Sequence, residues 1–272
     1  MESEIAFMNI IDSLKMTLGC SVTQRIRQVK QPRGGYINYK MMKVIELEGG
    51  GIEELNSEEN IHANLVGLAV DYLTRFMVGT SVEEAFKISN MGASFINEEK
   101  KAQKFMAGVK GLDDESIINA VKLTGFDVCY RASSMCYRPV DEIEPDAVTI
   151  ENIRTMVVRS LKFLEQYGPK VLDGFTFEGG YTDVVSRGDG DFMTKDTLWD
   201  FKVSKEKPRK EYTLQLLMYW RMGLHSEHGE FKSIKYLGIY NPRMNFVYQL
   251  DVNDISNEVI LEVEEKVIGY KN

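Results

Sequence analysis

The chain has 272 residues, of which 43% are apolar and 10% aromatic, and a formal net charge of −8 at neutral pH. That apolar content fills one large core or two small ones, so an intrinsically disordered chain is excluded, and the acidic balance excludes a protein that coats nucleic acid over its whole surface. No apolar run approaches the roughly 18 residues of a membrane span, and Met1-Glu2-Ser3-Glu4 has neither a basic region nor a secretory core, which predicts a cytoplasmic protein without membrane contact.

Residues 4–18 carry amphipathic helical spacing. Between Asp12 and Glu46 there is no acid, while Lys15, Arg25, Arg27, Lys30, Arg33, Lys40 and Lys43 are all basic. Inside this run Gln31-Pro32-Arg33-Gly34-Gly35-Tyr36 marks a loop, where exposed amides, Arg33 and the Tyr36 ring suit a backbone phosphate or an unpaired base. A strand is expected over 40–47, and Gly49-Gly50-Gly51 then breaks the chain. A helix is expected over 58–78, with Ile61, Leu65, Leu68, Tyr72 and Phe76 on its core stripe. Asp71 lies on the flank, spaced to pair with Arg75, and His62 falls in the apolar arc, two and a half turns from Asp71.

From 81 to 170 the pattern is mostly helical. Asp113 or Asp114 caps one segment, and Thr149 is expected to cap a long helix that Gly168-Pro169 ends. Strands dominate 180–203. Thr197 to Val203 alternates, so Asp200 and Lys202 share one face while Trp199, Phe201 and Val203 share the other. Lys195-Asp196 forms the turn back to Phe192 to Thr194, and Asp191, at the entry of that neighbouring strand, comes close to Asp200. A buried strand bearing both charges needs a reason for them. Two carboxylates and a lysine suit a hard cation, Mg2+ or Mn2+, beside a phosphodiester: Asp191 and Asp200 as oxygen ligands, Lys202 orienting the attacking water or stabilising the developing charge. A second basic run follows with Lys205, Lys207, Arg209 and Lys210, and together with the first it forms a candidate phosphate track. A helix over 213–223, strands over 233–240 and 245–250, and a final helix over 256–268 complete the chain. Cys20, Cys129 and Cys136 lack Cys-x-x-Cys spacing, so neither a disulfide framework nor a zinc or iron–sulfur site is supported. His225 and His228, with Glu227 and Glu230, read as a polar loop.

Asp191, then Asp200-Phe201-Lys202, then Gln215-Leu216-Leu217-Met218-Tyr219 resembles the motif series of the PD-(D/E)xK nuclease superfamily, in its RecB-type and lambda-exonuclease-like branches. The resemblance covers residues 174–241. It implies an α/β fold with a restriction-endonuclease-like core, a central mixed sheet flanked by helices, and it makes 81–170 a helical insertion within a single domain. It also implies a Mg2+-dependent deoxyribonuclease in which Gln215 and Tyr219 line the active site and touch the substrate strand. Relatives carry an acid or histidine on an earlier helix as Gly-x-x-x-His, for which this chain offers Gly67 to Asp71. The further ligand therefore stays open among Asp71, favoured by motif position, His62, Glu178 and Asp183. Family habit adds DNA as partner, a role in phage defence or recombination, a helicase or other ATPase as companion, since this chain has no P-loop, and self-association into a homo-oligomer. The competing expectation is a nuclease-fold protein without catalysis, acting as a nucleic-acid-binding or assembly subunit.

Overall fold

The computed structural model describes residues 19–47 and 55–271; the expected helix over 4–18 and the Gly49–Gly51 break lie outside them. Eight strands are described: β1 (Cys20–Ser21), β2 (Lys43–Glu46), β3 (Leu172–Phe175), β4 (Val185–Arg187), β5 (Gly190–Met193), β6 (Thr197–Phe201), β7 (Tyr236–Asn241) and β8 (Phe246–Asp251). Six of them make one mixed sheet in the order β2-β8-β7-β6-β5-β3, in which only β6 and β7 run parallel, and β1 pairs with β4 in a separate parallel ladder. The helices are α1 (Val22–Gln28), α2 (Ala63–Met77), α3 (Val82–Ala85), α4 (Lys87–Ser94), α5 (Glu99–Gly108), α6 (Asp114–Thr124), α7 (Asp127–Arg131), α8 (Ala147–Tyr167), α9 (Lys210–His225) and α10 (Asn257–Glu262), the last continuing as a π-helical turn over Val263–Ile268. The fold is mixed α/β, and no described helix is long and apolar enough to cross a membrane.

Alternation in the central strands decides which helix covers which face. Met193, Leu198, Leu237 and Ile239 point into a core shared with α9, including Leu214, Leu217 and Met218. Phe192, Trp199, Tyr240 and Val247 point the other way, onto Phe163 of α8. There Phe163 stacks on Tyr240 at 4.0 Å between ring centroids and meets Trp199 edge-on at 4.9 Å. Trp199 has room because its partner on β7 is Gly238, where a Cβ would fall 2.3 Å from the indole. A third core, entirely helical, joins α2, α4, α6 and the first half of α8 through Val70, Leu73, Ile117, Val121, Ile153 and Met156. Helix α8 thus serves both cores, so the expected insertion over 81–170 includes one of the helices that cover the sheet. Glu59 and Arg243 add a buried bidentate ion pair, at 2.7 and 2.8 Å, between the segment before α2 and the β7–β8 turn.

Several expected boundaries move for identifiable reasons. Helix α2 starts at Ala63, not at 58, because the preceding residues are held elsewhere: Asn60 N–H donates to Thr149 Oγ1 and Asn60 Oδ1 accepts from Asp146 N–H. Thr149 does not cap α8; Asp146 does, accepting from Thr149 N–H at 2.8 Å. Asp113 caps α6, and Gly168 ends α8 ahead of a cis peptide to Pro169. Residues 180–182 are not a strand, whereas Leu172–Phe175, unanticipated, forms the sheet edge beside β5.

Candidate active site

The β5–β6 hairpin assembles the polar centre. Its turn is closed by Thr194 N–H donating to Thr197 O at 3.0 Å, and Trp199 Nε1 donates to Thr194 Oγ1 at 3.0 Å. The register pairs Phe192 with Trp199 and Met193 with Leu198, which sets Asp191 opposite Asp200. Both carboxylates fall on the α9 face, two residues along from Met193 and Leu198. Lys202 keeps the alternation one residue past β6, because its N–H donates to Tyr240 O at 2.9 Å.

The two acids are held differently. Asp191 Oδ2 accepts from Phe201 N–H at 2.6 Å, so this carboxylate caps the end of the neighbouring strand. Asp200 is 1% exposed, and no backbone N–H, hydroxyl or amide donates to either of its oxygens. Lys202 Nζ lies 2.9 Å from Asp200 Oδ1 and makes an ion pair with it. Burial pushes the Asp200 carboxyl up to about 7, with Lys202 opposing the rise and Asp191 adding to it. For Lys202, burial works against the ammonium, but Asp200 and Asp191 more than offset it and lift its pKa above that of an ordinary lysine. Lys202 is therefore a fixed cation at neutral pH.

Helix α9 lies over this face. Gln215 Nε2 donates to the Tyr219 hydroxyl at 2.7 Å, the i,i+4 contact the helix provides. Tyr219 is buried and stacks on Phe177, 5.0 Å between centroids, and burial, reinforced by Asp189, Asp200 and Asp191, holds its pKa well above the ordinary phenol value. It stays neutral, with a hydroxyl proton to donate.

On the far side of the hairpin, α2 passes close to the end of β6, where a Cβ on Gly67 would meet Val203 at 3.7 Å. One turn further on, Asp71 is about 30% exposed and accepts from Arg75 Nε at 3.2 Å. Burial raises the Asp71 pKa against the pull of Arg75, and the Asp191 charge raises it further. Asp71 thus makes the ion pair with Arg75 that its spacing predicted, and it feels the charge of Asp191. Arg75 and Asp71 share a small cleft with Lys170, Asp173, Phe192 and Phe201.

The other ligand candidates lie elsewhere. His62 is not within a helix; it is the exposed N-cap of α2, its Nδ1 accepting from Asn64 N–H at 3.2 Å. Glu178 is exposed, accepts from the Thr176 hydroxyl, and sits by the C-terminal end of α9, where its carbonyl accepts from Glu227 N–H. Asp183 is exposed, with its carbonyl against Gly19 at the β1–β4 ladder. Among the described residues no three of His, Cys, Asp and Glu converge as a ready metal-ligand group.

The basic residues divide as well. Gly34 and Gly35 take φ of +89° and +88°, and a Cβ on Gly35 would fall 2.7 Å from Lys210 Cβ, so the loop bearing Arg33 docks on the start of α9 and joins the two basic runs. Arg33 and Lys207 are exposed, and Lys205 Nζ donates to Ser57 O at 2.8 Å. Tyr36 packs against the α9 core and its hydroxyl interacts with Glu262, so its ring is no open stacking platform. Arg25 is structural: it donates to Val267 O at 2.8 Å and Lys266 O at 2.6 Å in the π-helical turn. Sequence reasoning passed over Tyr212, whose ring lies 5.4 Å from Lys202 Nζ, although its spacing to Gln215 and Tyr219 placed it on the same helical stripe.

Comparison with protein-family models, with curated proteins and with solved structures finds no match to this chain.

Proposed function

We propose that the protein is a divalent-metal-dependent nuclease that hydrolyses phosphodiester bonds of DNA, built on a restriction-endonuclease-like core. The observation that carries this reading is the hairpin itself: Asp191 opposite Asp200, and both Asp200 oxygens buried with no donor beyond the Lys202 ammonium, 2.9 Å from Oδ1. A buried acceptor left unsatisfied costs about 1–3 kcal/mol, more when charged, unless a partner arrives. A hard cation with oxygen preference is such a partner, and Asp191 and Asp200 are the residues that would hold Mg2+ or Mn2+, with water and substrate phosphate as further ligands. The chain order α8, β3, β5, β6, α9, β7 also supports the proposed core.

When bound there, the cation supplies charge stabilisation at the phosphoryl oxygens and a water of lowered pKa. Lys202 stays protonated, so its part is to donate to the attacking water or the developing charge, not to remove a proton. Gln215 and Tyr219 contact the strand being cut, through the amide and the neutral hydroxyl. Asp71 Oδ1 is engaged by Arg75, which leaves Oδ2 as the oxygen it could offer a metal. That engagement, with no third acid converging among the described residues, favours a second reading, a nucleic-acid-binding subunit without catalysis.

Incubation of the purified protein with labelled linear, circular and single-stranded DNA and with RNA, in Mg2+ or in EDTA, separates the two. The nuclease reading predicts cleavage of DNA in Mg2+ that stops in EDTA and in Lys202→Ala. Binding that is indifferent to EDTA, without cleavage of any substrate, supports the subunit reading instead.

A further inference from the structure

We propose that Tyr212 is a positioning residue for Lys202, its ring holding the ammonium beside Asp200 once a divalent ion engages the carboxylates; this rests on the nuclease reading of the hairpin. Besides the charge of Asp191, Lys202 has two close contacts for its ammonium: Asp200 Oδ1 at 2.9 Å and the Tyr212 ring, whose centroid is 5.4 Å from Nζ. The first is the contact a metal weakens. A divalent ion held by Asp200 would compete for the carboxylate and repel the ammonium, and Lys202, with about 24% of its side chain exposed, has solvent to move into. The ring face attracts a cation through its quadrupole and offers the metal no competing ligand, so this contact survives metal binding.

Tyr212 is itself well anchored for the task. It is the third residue of α9, packs against the core on the α9 side, and accepts at its hydroxyl from Arg209 Nη2 at 2.7 Å, with the Arg209 guanidinium carbon 5.1 Å from the ring centroid. With Gln215 and Tyr219 it forms an i, i+3, i+7 stripe along the helix face above the hairpin. The ring, not the hydroxyl, is the part that meets Lys202, so phenylalanine should substitute and an aliphatic residue should not.

The test uses the full chain with 13Cε-labelled lysine, the Lys202 signal being assigned by its loss in Lys202→Arg. In Mg2+, ring current should displace that signal from the lysine envelope in the wild type and in Tyr212→Phe, and return it to the envelope in Tyr212→Leu. In cleavage assays, Tyr212→Phe should stay within about twofold of the wild-type kcat, while Tyr212→Leu loses about tenfold in kcat with KM little changed. Tyr212→Met is the second variant, for use if circular dichroism shows that the leucine protein does not fold. A Lys202 signal that stays displaced in the aliphatic variants, a phenylalanine variant as impaired as the leucine one, or an aliphatic variant cleaving at the wild-type kcat overturns the assignment of Tyr212 alone. A wild-type protein that cleaves nothing in Mg2+ overturns the nuclease reading and this role with it.

Discussion

Among the described residues two aspartates, Asp127 and Asp200, are almost completely buried, and they are held differently. Asp127, 2% exposed in the helical region, accepts from the Tyr72 hydroxyl at 2.6 Å, the Ser89 hydroxyl at 2.6 Å and Arg131 Nε at 3.2 Å, and so ties α2, α4 and α7 together. Asp200, 1% exposed on the central sheet, has no donor beyond the Lys202 ammonium, 2.9 Å from Oδ1, and faces another carboxylate. Burial raises the pKa of both; hydrogen bonds and Arg131 pull Asp127 back, whereas at Asp200 the pull of Lys202 is opposed by Asp191, which pushes it up. A buried acid with a complete set of donors is a structural fastener. One kept short of donors beside a like charge weakens the fold, and such a cost persists where the group has a ligand to meet.

Substitution should separate the two roles. The largest expected effect is on chemistry: Asp200→Asn should reduce cleavage at least about 1,000-fold, a barrier rise of about 4 kcal/mol, in a single-turnover assay. Its unfolding free energy at pH 8 should change by no more than about 1 kcal/mol, since removing the confined carboxylate charge offsets the loss of the Lys202 counter-charge. Asp127→Ala should do the reverse. It leaves two buried hydroxyls and Arg131 without their acceptor and should cost about 3 kcal/mol in urea unfolding, while the folded fraction keeps its turnover.

The pH dependence of stability sharpens the contrast. The folded-state pKa of Asp200 is raised to about 7, so its contribution to stability is complete below about pH 4 and is lost as pH rises towards 7. Stability of the wild type relative to Asp200→Asn should therefore fall across that window and level off above it. Asp71 and Asp127 are raised in the same direction, but both remain in the variant and cancel in the difference. A flat difference between pH 4 and 7 would show that Asp200 is not held as described. The smallest effects belong to the exposed cations. Arg33→Ala and Lys207→Ala should each weaken DNA binding a few-fold and lower the slope of log affinity against log salt by about 1, measured by fluorescence anisotropy, with sequence preference unchanged.

What could be read from the chain itself follows the same division. The hairpin acids and Lys202 were legible because strand alternation has a strict period of two and Lys195-Asp196 fixes a short turn, so faces and register followed from local sequence. The Gln215–Tyr219 contact was legible because i,i+4 neighbours on a helix must meet. The third-ligand question was not, because the start of α2 depends on Asn60 meeting Asp146 and Thr149 far along the chain, which turns His62 from a helical residue into a cap. Strand β3 was missed because Leu172-Asp173-Gly174-Phe175 has the composition of a turn, with Gly174 at a φ of +59°, and becomes a strand only through pairing with β5. Arg25 looked like part of a phosphate track until the carbonyls of Lys266 and Val267 supplied its partners. Asp127 drew no notice, since its donors come from three separate helices.

The proposed nuclease requires Asp200 to receive a divalent cation. Calorimetric titration of Mn2+ into the wild type and into Asp200→Asn, without nucleic acid and at pH 6, 7 and 8, tests this most directly. The account predicts uptake by the wild type that tightens from pH 6 to 8 as the proton leaves Asp200, and loss of that uptake in the variant. Uptake that is equal in the two proteins, or absent from the wild type at millimolar Mn2+ and pH 8, would contradict it.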